Sequence, residues 1–295
     1  MSTVRWKRVF EQATRPLLFG MVHVRALPGT PRSSQSLSEI CELARTEAET
    51  YASLGYDGVV VENMHDVPYL QGKQLGPEVT ASMTRVCLEV KRSALAALAA
   101  AASAERFLFG VQILAAANKQ ALAVAQAAEF DFVRAEAFAF AHVADEGWMD
   151  ACAGELLRYR RAIGAQHVGL FVDVKKKHCA HAVTADVDMA ATVKAAEYFL
   201  CDAVFVTGAA TGREPALEDV RAASAATRLP VLVGSGVTPD NCGSLAGGGA
   251  NAFVVGSFVK RDGVWSEPLD EARVKRMVES VRKLMVEAVR KLTLS

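Results

Sequence analysis

Eight short apolar runs, each followed by a stretch of helical periodicity, fill the chain from residue 17 to residue 292. The runs are Leu17–Val24, Gly58–Asn63, Phe107–Leu114, Phe132–Ala137, Val168–Val174, Ala203–Thr207, Val231–Gly234 and Ala252–Val255. Short uninterrupted apolar segments suit strands buried on both faces, as in parallel sheet. The helical patterns between them are Leu37–Leu54, Pro77–Ala104, Lys119–Glu129, Met149–Ile163, Val187–Leu200, Ala216–Thr227 and Pro239–Ala246, with Asp270–Leu292 last. No Pro/Ser-rich linker or composition shift interrupts the rhythm. The pattern predicts the α/β class: one closed (β/α)₈ TIM barrel over about residues 17–292, with residues 1–16 as a short helical extension. A doubly wound open sheet is the alternative. It usually has fewer strands and a Gly-x-Gly-x-x-Gly after the first, which is absent here.

Composition excludes several partners. Lys plus Arg and Asp plus Glu both number 33, so the formal net charge is zero. That leaves no footprint for nucleic acid or an acidic membrane surface. The most tempting apolar stretch, Ser93–Ala104, has only twelve uncharged residues, mostly alanine, and reads as a packed helix. The six cysteines (41, 87, 152, 179, 201 and 242) show no Cys-x-x-Cys spacing. They read as reduced thiols in a cytoplasmic setting, with an organellar matrix or peripheral membrane association left open. Arg5, Lys7, Arg8 and Arg15 near the start resemble the basic residues of a transit peptide. A helix closing the N-terminal end of the barrel is the simpler reading. Barrels often associate through outer helices, and the Ala-rich second pattern offers a face for a homo-oligomer.

In such a barrel, chemistry sits where the strands end. The first run ends in His23, before Pro28-Gly29-Thr30-Pro31, a rigid turn able to hold a loop over the mouth. The second ends in Glu62-Asn63, with His65 and Asp66 following. Gln112 ends the third run and Asn118 opens the helix after it. Arg134 and Glu136 in the fourth run are two apart and share a face. The fifth supplies Asp173 and then Lys175-Lys176-Lys177-His178; the sixth ends in Thr207-Gly208. The last two runs end in Gly234-Ser235-Gly236 and Gly256-Ser257, where barrels commonly hold a phosphate through backbone N–H groups. Lys260 is a further charge near that pair of turns, and Gly247-Gly248-Gly249 falls at the opposite end of the barrel.

Each cluster has a structural reading beside its chemical one. Glu62, His65, Glu136, Asp173, Lys177 and His178 are candidates for acid–base or nucleophilic work. Glu62, His65, Glu136 and Asp173 are also candidate ligands for a divalent metal, although no tight motif such as His-Glu-x-x-His is present. Structurally, Glu62 could instead pair with Arg134 or a lysine inside the barrel. His23, Asn63, Gln112, Arg134 and Thr207 are candidates for substrate binding. The three adjacent lysines invite a Schiff base, since a desolvated amine beside other cations becomes nucleophilic near neutral pH; the same run also reads as a solvated rim that steers anions. Strand alternation places Lys175 on the side of Asp173 if the strand extends that far.

Five segments taken in order, His23–Pro31, Asp57–Pro68, Lys177-His178, Thr207–Gly212 and Gly234–Thr238 with Asn241, resemble the BtpA family. They spread over about Phe19 to Lys260. The resemblance implies a TIM barrel and a biogenesis factor for a membrane complex such as photosystem I; other relatives are associated with sugar metabolism. In the bacterial pattern an Arg-Asn pair follows the third strand, whereas here Ala115-Ala116-Ala117 precede Asn118. Two functions follow. One is a lyase, aldolase or isomerase acting on a small phosphorylated metabolite; the other is a non-catalytic assembly factor.

Overall fold

The computed structural model describes residues 4–98 and 101–293. Eight parallel strands close into a barrel in chain order: β1 (Leu17–His23), β2 (Gly58–Glu62), β3 (Leu108–Gln112), β4 (Phe132–Ala135), β5 (Gly169–Val174), β6 (Ala203–Thr207), β7 (Val231–Gly234) and β8 (Ala252–Val255). β8 pairs back onto β1, so the sheet has no free edge. All eight predicted strands are present; the last three match their apolar runs and the other five are slightly shorter.

The strands have two apolar faces because each side meets a different core. Outward residues such as Val22, Val61, Val111 and Val172 pack beneath the helices. Inward residues fill the barrel: Leu17, Phe19, Met21, Val60, Leu108, Phe132, Phe171, Phe205, Leu232 and Val254. Four of these are phenylalanines, and Phe132 stacks on Phe171 at 4.3 Å between centroids. Gly110 makes this possible, because a Cβ at that position would lie 2.3 Å from the Phe132 ring.

The N-terminal helix α1 (Arg5–Glu11) closes the bottom of the barrel. Trp6, 4% exposed, meets the Phe171 ring edge-on at 5.1 Å. Arg5 donates to the Phe107 carbonyl and pairs with Asp131 at 3.4 Å, fixing the helix to the strand starts.

Local signals explain the outer helices. α2 (Leu37–Leu54) begins with a Ser36–Glu39 capping box and ends at Gly55 with φ of 91°. α3 (Pro77–Ala97) starts with proline in its first turn. The predicted pattern Pro77–Ala104 is divided between α3 and a second short helix, α4 (Ala101–Arg106); residues 99–100 lie outside the described residues. The rest of the ring is α5 (Asn118–Ala127), α6 (Ala153–Ala162), α7 (Met189–Tyr198), α8 (Leu217–Ala226), α9 (Cys242–Gly247) and α10 (Glu271–Thr293).

The segment after β4 also differs from the sequence reading. Met149 was expected to open a helix but belongs to a small antiparallel sheet of His142–Ala144, Gly147–Met149 and Cys179–Ala180. This sheet joins the loops after β4 and β5. Ala144 and Met149 pack with Met64, Leu114, Ala115 and Ala137, and Tyr69 and Trp265 pack against them. These residues follow the strand ends and form an apolar layer above the mouth.

Candidate functional site

Along the inward positions the side chains change from apolar to polar at the C-terminal end of the barrel. His23, Glu62 and Gln112 are register partners across β1, β2 and β3. With Arg134, Glu136, Asp173 and Thr207 they form a buried polar ring. Such a ring is stable only if its charges are compensated, and two of its carboxylates are tightly bonded to buried cations.

The first pair joins β4 to β5. Arg134 donates through Nε to both oxygens of Asp173 at 3.1 Å and through Nη2 to Oδ1 at 2.8 Å. The guanidinium also lies 4.6 Å from the Phe205 ring centroid. Its Nη1 edge faces Gly234, where a Cβ would come within 3.6 Å. Arg134 therefore reaches across the barrel toward the turn after β7.

The second pair is Lys176 with Glu136, at 2.8 Å. Glu136 also accepts from Gln112 Nε2 at 3.2 Å and from the Ala116 N–H at 2.6 Å. Burial alone would raise the Glu136 carboxyl, but the Lys176 charge, its hydrogen bond and the Ala116 N–H hold it below its usual range. Glu136 also pulls the Lys176 ammonium upward against burial. Gln112 Oε1 is buried without a partner, so this network keeps one acceptor open.

Glu62 and Lys177 behave differently. Among the described residues the one polar contact of the Glu62 side chain is with His23, Oε2 to Nε2 at 3.9 Å. Burial raises its carboxyl, offset in part by the charges of Lys177 and Arg134. The Lys177 amine is pushed down by burial, with Glu62 as the strongest opposing influence. Its Nζ touches Thr211 Oγ1 at 3.2 Å, and its backbone N–H is fixed by Thr207 Oγ1 at 2.9 Å. Burial thus drives both groups toward their neutral forms.

His23 completes this side. Burial and the nearby Lys260 charge hold its imidazole well below its ordinary value, so it is neutral. Nδ1 lies 3.1 Å from the Trp265 carbonyl, which assigns the proton to Nδ1 and leaves Nε2 as an acceptor facing Glu62. Gly256 lies against this ring; a Cβ there would come within 3.0 Å of it.

The remaining predicted residues take other places. Asn63 braces loops: Oδ1 accepts from the Leu114 N–H and Nδ2 donates to Asp66, both at 2.8 Å. His65 lies outside the ring against Trp265, 4.8 Å between centroids, with its imidazole lowered to about 4 by burial and by Arg25. His178 is exposed and joins Thr211 at the loop edge. Lys175 does not share the side of Asp173. β5 ends at Val174 and Lys175 has φ of 45°, which breaks the alternation; its Nζ reaches the Thr184 carbonyl instead. Among the described residues no three His, Cys, Asp or Glu side chains gather as a metal-ligand group. Asp173 and Glu136, two of the candidate ligands, face cations instead.

The turns after β7 and β8 lie side by side, bridged by the loop after β6. Ser235 Oγ accepts from the Gly208 N–H at 3.0 Å and donates to the Arg213 carbonyl at 2.9 Å. Gly236 has φ of 64°, and a Cβ there would lie 2.1 Å from the Glu214 nitrogen. Gly212 is close enough to Ser257 that a Cβ would stand 3.5 Å from its Oγ. Lys260 adds no charge at the turns: it is 1% exposed and paired with Glu47 of α2.

Residues absent from the sequence reading of the site are Trp265, Tyr69 and the Ala116 N–H. Trp265 lies far along the chain in a loop, and nothing local in the sequence marks its position above His23.

The structure is a (β/α)₈ barrel whose C-terminal mouth holds a buried ring of charged groups beneath an apolar layer. The chain belongs to the BtpA family, whose sequence profile it matches over residues 14–283. It is 45% identical over 272 residues to an uncharacterized mitochondrial protein of Caenorhabditis elegans, covering 92% of this chain and 95% of the relative. It is 32% identical over 271 residues to the photosystem I biogenesis protein BtpA of Synechocystis, covering 92% and 89%. Among solved structures the fold resembles (S)-3-O-geranylgeranylglyceryl phosphate synthase from Thermoplasma acidophilum in complex with sn-glycerol-1-phosphate. The TM-score is 0.55 at 15% identity, over 96% of this chain and 100% of the other. Thiamine phosphate pyrophosphorylase from Pyrococcus furiosus gives 0.55 at 13%, over 92% and 97%. No helix among the described residues is long and apolar enough to cross a membrane.

Proposed function

We propose that this protein is an enzyme that binds a small phosphorylated metabolite at the barrel mouth and transfers protons on it, in lyase, aldolase or isomerase chemistry. The carrying observation is the contrast between the ion pairs. Arg134–Asp173 and Lys176–Glu136 are bonded at 2.8 Å, whereas Glu62 and Lys177 are left without such a bond and shifted toward neutrality. Groups whose environments push their pKa values toward the working range are suited to acid–base catalysis.

In this reading Glu62 is the proton-transferring group, and neutral His23 orients it by presenting Nε2 as a hydrogen-bond acceptor. Lys177 acts on a substrate carbonyl, either as a cation that polarises the oxygen or as a neutral amine that attacks the carbon and forms an imine with loss of the oxygen as water. The phosphoryl group lies against the backbone of Gly234–Gly236 and Gly256–Ser257, with Arg134 Nη1 directed to the same turn. The two structural neighbours named above carry phosphorylated compounds in their descriptions, which supports the ligand class.

A thermal-shift screen of phosphorylated metabolites tests the reading. A ligand at 100 times its Kd stabilises the native state by about 2.7 kcal/mol. A hit that is lost in Ser257→Asp and turned over only with Glu62 intact supports it; no response to any phosphorylated compound overturns it. The name of the Synechocystis relative supports a second reading, an assembly factor for a membrane complex. Co-purification of such a complex, unchanged in Glu62→Gln, would favour that reading.

A further inference from the structure

Outside the mouth, on the rim formed by the loops after β1 and β2, lies a cavity of about 370 Å³ lined by Arg25, Arg32, Ser34, Gln35 and His65 together with Ala26 and Leu43. It holds two guanidinium groups, an imidazole, a hydroxyl and an amide, and no carboxylate. Arg32 has no hydrogen bond or ion pair with any described residue. Arg25 donates to the Ser266 carbonyl at 3.0 Å and lies 3.5 Å from His65 Nε2. The acidic group nearest in influence, Glu47, is already paired with buried Lys260.

The loop that carries Arg32 is fixed by the chain itself. Both the N–H and Oγ1 of Thr30 donate to the Leu27 carbonyl, at 3.1 and 2.8 Å, and the Ser33 N–H donates to Thr30 at 3.1 Å. The Leu27 N–H in turn donates to Asp66 at 2.8 Å. Pro28 and Pro31 further restrict the turn. An unpaired Arg32 guanidinium on a braced loop, lining one cavity with Arg25 and a neutral imidazole able to donate one more hydrogen bond, matches a tetrahedral oxyanion.

We propose that this cavity is a binding site for a phosphoryl group, separate from the Glu62–Lys177 mouth and from the turns after β7 and β8. His23 and Trp265 lie between it and Glu62. Arg25 and His65 engage the anion while Arg25 also holds Ser266, the neighbour of Trp265. An anion here therefore bears on the segment that covers the mouth. The inference does not depend on the reaction assigned to the mouth.

Isothermal titration of the full chain with inorganic phosphate and with glycerol phosphate, together with ¹⁵N resonances of the His65 ring, tests it. In wild type and in Ser257→Asp, phosphate binds and shifts the His65 resonances. Arg32→Glu weakens this binding about tenfold or more, with the melting temperature unchanged because Arg32 makes no bond with any described residue. Arg32→Gln gives a smaller loss in the same direction. Tighter binding of glycerol phosphate identifies an esterified phosphoryl group as the ligand; equal affinities identify free phosphate. The proposal is overturned if phosphate leaves His65 unmoved in wild type, if Arg32→Glu binds as wild type does, or if Ser257→Asp abolishes the His65 response.

Discussion

Arg134 and Asp173 form a buried three-bond pair across β4 and β5 that leaves one edge of the guanidinium, Nη1, directed at Gly234. The pair is 5% and 0% exposed at its side chains, so neither charge has water to fall back on. The charges of the pair also act on the less tightly bonded Glu62 and Lys177.

Removing one partner of that pair strands the other. Asp173→Ala is expected to destabilise the fold by about 3–5 kcal/mol, since it leaves an uncompensated buried guanidinium. Replacing both residues with apolar ones of similar volume should recover most of the loss. Denaturant midpoints of the single and double variants measure this, and equal losses in the two would contradict it.

Glu62→Gln separates activity from stability. Loss of a general acid–base group lowers turnover by about 10²–10⁴-fold. The Glu62 carboxyl is raised in the folded state, so between its unfolded and folded values the native protein binds more protons than the unfolded chain. Its contribution to stability is present below the unfolded value and is lost as pH rises through the folded one. The variant should therefore melt above wild type at neutral pH, with the gap closing on acidification below the ordinary glutamate range.

Lys177 is distinguished from its neighbours by environment. Lys176 is bonded to Glu136 and held charged, and Lys175 points toward Thr184. Borohydride treatment with phosphorylated aldehydes and ketones should place any adduct on Lys177 and leave Lys175 and Lys176 unmodified, as peptide mass mapping would show. Absence of an adduct across a broad panel would assign Lys177 the cationic role.

The N-terminal helix is part of the fold. Trp6→Ala removes a buried indole from the base of the barrel and is expected to cost about 3–5 kcal/mol. A melting temperature within a degree of wild type would show that the helix does not hold the strand starts together.

Much of the fold was legible because a strand buried on both sides must be apolar throughout, and eight such runs appear in order. The polar ends of those runs marked the mouth for the same reason: charge at the end of an apolar strand must meet something inside the barrel. Ion-pair partners were not legible. The sequence offered Glu62 as a partner for Arg134, whereas the pairing of β4 with β5 brings Asp173 to the guanidinium. The Lys175–Lys177 run showed three equivalent amines; the positive φ of Lys175 turns them to different surroundings.

The sequence by itself determined the barrel, its order of strands and the face that carries the polar groups, because these follow from short-range periodicity and hydrophobic burial. The tertiary structure alone decided which charges are compensated and which are left available, and that Trp265 and the small sheet cover the mouth. Those outcomes depend on contacts between residues distant along the chain, such as His23 with Trp265 and Lys260 with Glu47. No local pattern encodes such distances; closure of the barrel does.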